Sequence, residues 1–106
     1  MPKFLVQASY TAEGTKGLLK TSGSARRAAV QEVVESLGGK VEAFYFTFGA
    51  DDAVLIVDLP STETALSLGF AVRASGTVHS KTTPLIPIEE IDRATKREVH
   101  WRPPGS

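Results

Sequence analysis

The chain has 106 residues, equal numbers of acidic and basic side chains, and no cysteine. A net charge of zero gives no global field to attract nucleic acid or an anionic membrane, so neither is an expected partner. The missing cysteines exclude disulfides, thiolate nucleophiles and Cys-ligated metals together.

Lys3 to Tyr10 reads as the first strand, with Phe4, Val6, Ala8 and Tyr10 on one face and Leu5, Gln7 and Ser9 on the other. Residues 11–23 hold Gly14, Gly17 and Gly23 and read as a connector, with at most a helical turn over Lys16 to Lys20. A helix is predicted from about Ala25 to Leu37, with Ser24 as its N-cap and Gly38-Gly39 as its stop. Val30, Val33, Val34 and Leu37 form its buried stripe.

Two apolar runs, about 40–48 and 52–59, flank Gly49-Ala50-Asp51-Asp52 and predict a β-hairpin, with Gly49 at positive φ. Pro60 ends the second run. Ser61 then caps a helix over Thr62 to Ala74, which Ser75-Gly76 closes. Thr77 to Thr83 is the most polar strand. Pro87 starts a short helix at Ile88, acidic early and basic late. Residues 1–98 make a single domain, and 99–106 form a tail that its prolines keep from being helical.

This order, β-α-β-β-α-β plus a terminal helix, predicts an α+β, ferredoxin-like sandwich. Its four-stranded antiparallel sheet has strands one and three in the centre. The run from Ala53 to Leu59 is apolar on both faces apart from Asp58. Both sides of the sheet must therefore be covered, one by helices and the other by a second copy of the chain. The expectation is a homo-oligomer, most simply a dimer with facing sheets. Met1 to Gln7 lacks the apolar core of a signal peptide. No apolar run approaches the roughly 20 residues of a membrane helix. A cytoplasmic protein without membrane contact is expected.

Candidate chemistry is sparse. Arg26 and Arg27 open the first predicted helix, with Lys16 and Lys20 just upstream. They form a candidate anion site, or else a solvated pair bridged to Glu13 or to another protomer's carboxylate, which is the commoner arrangement. His79 shares a strand face with Thr77, Lys81 and Thr83 and is a candidate general base, although an edge-strand histidine more often faces solvent. Tyr10 and Tyr45 carry hydroxyls that can orient a ligand, or simply be buried and satisfied. Phe44, Phe46 and Phe48 form one strand face, more often core or interface than a cofactor box. His100 lies in the tail beside Trp101 and more plausibly packs at an interface.

Asp51 and Asp52 read as turn formers bonding their own backbone and pointing apart, rather than as a catalytic carboxylate pair. Neither histidine has a partner at metal-ligand spacing, so no metal is expected. Dinucleotide, P-loop and Ser-His-Asp patterns are missing, and no cofactor is implied.

The aromatic strand, the turn Gly49-Ala50-Asp51-Asp52, and the apolar strand that ends in Asp58 and Pro60 resemble the GYD-domain family of small bacterial proteins. The likeness extends from the Phe4-Leu5-Val6-Gln7 strand to Ile88-Glu89-Glu90. In the family's turn a tyrosine stands where this chain has Asp51. The resemblance implies the dimeric α/β-barrel superfamily, in which two ferredoxin-like sheets pack face to face. Enzymes of similar fold include monooxygenases, isomerases and polyketide cyclases, but a fold does not transfer an activity.

Two functions fit. One is a non-catalytic or small-molecule-binding homo-oligomeric module, its candidate ligands anionic or aromatic. The other is a cofactor-independent enzyme acting on a hydrophobic or aromatic small molecule through His79, Tyr10 or Arg26. A closed apolar pocket into which at least two of those side chains converge would discriminate them.

Overall fold

The computed structural model describes residues 1–105. Its elements are β1 (Lys3–Tyr10), α1 (Ala12–Lys20), α2 (Gly23–Ser36), β2 (Lys40–Phe46), β3 (Ala53–Asp58), α3 (Thr62–Ala74), β4 (Val78–Leu85) and α4 (Ile88–Thr95). The strands form one antiparallel sheet in the order β2-β3-β1-β4. Strands β1 and β3 are therefore central, as right-handed crossovers predict, with the most apolar strand, β3, inside and the most polar, β4, at an edge. The fold is α+β and ferredoxin-like.

Alternation sorts the side chains by face. Phe4, Ala8, Ala53, Leu55 and Val57 are buried under the helices, and Phe4, Val34, Val57 and Leu59 are the largest fully enclosed side chains. Leu5, Gln7, Val54 and Ile56 face the other way and are only half-buried. Asp58 is the one buried charged residue among those described.

Three local expectations need correction. The stretch read as a connector is the nine-residue helix α1. Thr11 caps it by accepting from the Gly14 N–H at 3.2 Å, while its own N–H donates to the Thr77 carbonyl at 3.0 Å. A Cβ on Gly14 would come 2.1 Å from that carbonyl oxygen. The glycine that weakens the helix signal is thus what lets α1 lie against the start of β4.

The second helix begins earlier than expected. Ser22, not Ser24, is its N-cap and accepts from the Ala25 N–H at 3.0 Å. Gly38 ends it at φ +84°, in the left-handed conformation that closes helices. The third correction concerns Gly49. It has no positive φ and open space around its Cα, so the hairpin tip does not require glycine there.

No described helix is long and apolar enough to cross a membrane. The chain is extended at its C-terminal end: the radius of gyration is 17.4 Å and the longest dimension 59 Å. A compact chain of this length has a radius of about 13 Å. Helix α4 buries none of its residues, and Ile86, Ile88, Ile91, Val99 and Trp101 are exposed.

Candidate functional site

Helix α2 packs against β2 and α3 against β4, so the two straddle the centre of the sheet. A cavity of about 300 Å³ lies between them. Its floor includes Val6, Ala8, Leu55 and Val57, and its walls include Ala29, Val30, Leu68 and Val72. Small residues keep it open: Ala8, Ala29, Ala53, Ala65 and Gly69 all line it. Its only polar side chains are those of Arg26, Tyr10, Ser80 and Thr82.

A second cavity of about 280 Å³ lies beneath α1 and is lined by Glu13, Gly14, Leu18 and Thr21 among others. Tyr10, Arg26, Ala29 and Val78 line both cavities and form the wall between them. Arg26 is half-buried there. Among the described residues it makes no ion pair, so of the two bridges weighed for it the one to Glu13 is not formed. The first turn of α2 carries no acidic residue to offset the charge.

The other sequence candidates do not gather at this point. Arg27 is exposed and lines a separate surface depression with Gly23, Ser24, Phe44 and Phe46. Lys20 is exposed in the last turn of α1, where a cation suits the helix dipole. It lines none of these cavities. His79 pairs with Ser9 across the β1–β4 ladder and is exposed on the sheet face away from the helices. Tyr45 also lies on that open face, opposite Val54, and is exposed. His79 and Tyr10 therefore stand on opposite sides of the sheet.

The aromatic row is split. The Phe44 and Phe46 rings meet edge-on, with centroids 5.2 Å apart, whereas Phe48 is fully exposed beyond the end of β2. The two turn carboxylates diverge, but they do not bond to their own turn as expected. The Asp51 carboxylate accepts from Gln7 Nε2 at 3.3 Å, and Asp52 Oδ2 accepts from the Tyr10 N–H at 2.8 Å. Both tie the hairpin to β1.

Sequence reasoning singled out neither Ser80 nor Thr82. Their alternation with His79 and Lys81 was the available signal, since residues in step with the buried Val78 must face the helices.

Comparison with curated proteins and with solved structures finds no match. Residues 4–95 match the GYD domain, from the first strand through the last helix. The chain belongs to the GYD-domain family.

Proposed function

We propose that this chain is a cytoplasmic small-molecule-binding module whose ligand lies between the sheet and helices α2 and α3. The observation that carries the reading is the 300 Å³ cavity, walled by aliphatic side chains with a few polar groups at defined points. That combination is typical of ligand sites, although the volume is at the small end of their range of roughly 300–1,000 Å³.

Binding is favoured over catalysis because no carboxylate or imidazole lines this cavity. Tyr10 and Arg26 both line it, which meets the two-side-chain condition set for the enzyme reading. Neither is a proton acceptor of the kind that reading assigned to His79, and His79 lies across the sheet. The cofactor-independent enzyme reading would need its proton acceptor from elsewhere.

A neutral two-ring fluorophore, 6-acetyl-2-(dimethylamino)naphthalene, tests the reading. Its emission should rise on mixing with the protein. Gly69→Leu should abolish the rise, because Gly69 lines the cavity and nothing lies within 4 Å of an added Cβ. The substitution also removes a helix-interior glycine, so the fold should be kept or strengthened. An undiminished signal in the filled variant would place the probe elsewhere and refute the proposal.

We propose also that the module is a homo-oligomer, most simply a dimer with facing sheets. The half-buried Leu5, Val54 and Ile56 on the open sheet face support this, as does the uncovered apolar side of α4. A second copy would cover both, burying more than the roughly 1,200 Å² of a specific interface. Light scattering that finds a monomer at micromolar concentration would exclude it.

A further inference from the structure

Among the described residues, Arg26 is the one Lys, Arg, Asp or Glu lining the main cavity. Arg26 is half-buried among apolar walls, and no described residue supplies a counter-ion. A partly desolvated charge without a partner is costly, and an incoming anion would offset that cost. Its place on the wall between two cavities leaves it reachable from both.

We propose that the ligand is a compact monocarboxylic acid, with its apolar body in the main cavity and its carboxylate on Arg26. This rests on the binding reading above and deepens it. The guanidinium fork matches a carboxylate with two parallel hydrogen bonds. Tyr10, on the same shared wall, supplies a further hydroxyl. A dianion such as phosphate is poorly matched. Arg27 lines a different depression and Lys20 lines neither cavity, so a single positive charge is offered. The volume sets the size of the body. A cavity of about 150 Å³ accommodates one benzene ring, so 300 Å³ suits a medium alkyl chain or a one- to two-ring aromatic acid.

The test uses the full chain and displacement of 6-acetyl-2-(dimethylamino)naphthalene by octanoate, by its neutral counterpart octanamide, and by inorganic phosphate. Octanoate should displace the probe at about tenfold lower concentration than octanamide, the lower end of what a charged hydrogen-bonded pair gives, because Arg26 is only half-buried. Arg26→Gln should close that gap between acid and amide, and a far-UV circular dichroism spectrum and thermal midpoint like the parent's show that the variant is folded. Arg26→Lys should close it partway, and Arg27→Gln should leave it open. Equal displacement by acid and amide would overturn the carboxylate assignment and leave the cavity reading standing. So would competition by phosphate at octanoate concentrations, or an equal effect of Arg27→Gln. Failure of the probe to bind the unmodified protein would remove the cavity reading itself, and this inference with it.

Discussion

The carboxylate of Asp52 accepts a hydrogen bond from the backbone N–H of Tyr10 at 2.8 Å. The Asp52 N–H in turn donates to the Ala8 carbonyl at 2.8 Å. The β1–β3 ladder ends at Ala8 and Ala53, so Tyr10 has no strand partner on that side. Asp52 supplies one, and thereby fixes the end of β1 where the Tyr10 ring walls the cavity. Asp52→Ala should lower stability by about 1–2 kcal/mol in urea unfolding, the cost of a partly buried N–H left unpaired. It should also weaken fluorophore binding. Asp52→Asn keeps an acceptor and should recover most of both losses. An alanine variant as stable as the parent would mean that water replaces the carboxylate at no cost.

The glycines give a graded series. A Cβ on Gly39 would fall 2.1 Å from the Asp58 carbonyl oxygen and 2.9 Å from Leu59 Cδ2. The first neighbour is backbone and cannot turn aside, so Gly39→Ala should cost roughly 2–3 kcal/mol. Gly38→Ala, at φ +84°, should cost about 1 kcal/mol through left-handed strain. Gly49→Val meets nothing within 4 Å and needs no special φ, so its effect should stay within about 0.5 kcal/mol. Thermal midpoints should fall in the order 39, 38, 49. A large loss at Gly49 would contradict the turn geometry.

Helix α3 was readable to the residue, because Pro60, Ser61 and Ser75-Gly76 punctuate it by local chemistry. The strand order followed from the element order and the right-handed crossovers it requires, and the apolar β3 and polar β4 agree with it. Helix α1 was not readable. Gly14 and Gly17 depress helix propensity, and the reason for Gly14 is a contact with Thr77, sixty-three residues away. The cavity was hidden for a similar reason. Periodicity tells which face of α2 is buried, but not how far α2 stands from α3. Arg26 and Arg27 looked like one site because they are adjacent in the sequence. Successive residues diverge by about 100° around a helix, and these two line different depressions.

The start of α2 gives a clean comparison between two serines. Ser22 Oγ accepts from the Ala25 N–H, whereas Ser24 lies within the helix. Ser22→Ala should cost about 1 kcal/mol and Ser24→Ala only a few tenths. Ser61→Ala, which removes the equivalent bond to the Thr64 N–H, should match Ser22→Ala. Equal losses at Ser22 and Ser24 in denaturant titration would mean that the helix begins at the later serine.

The start of β1 carries a pH-dependent contribution. Lys3 Nζ is 2.8 Å from Asp58 Oδ1 and 3.3 Å from Glu42 Oε1. The register between β2 and β3 shifts between Val41 and Ala43, at Glu42. The hydrogen bond to Asp58 raises the Lys3 ammonium above its ordinary value of 10.5; burial opposes it to a lesser degree, and the bond to Glu42 adds a smaller upward push. A group whose pKa is higher in the folded state binds its proton more tightly there. Its stabilisation is therefore complete below pH 10.5 and is lost as pH rises through the folded-state value. Lys3→Met leaves the buried Asp58 carboxylate without its cation, so the variant should be less stable at neutral pH. The measurement is the stability difference between parent and variant as a function of pH, which cancels the titration of the other lysines and the tyrosines. That difference should stay constant up to about pH 10 and narrow above it, as the parent loses the same charge. Curves that remain parallel through the alkaline range would show that the ion pair contributes nothing and that the loss in Lys3→Met is one of packing.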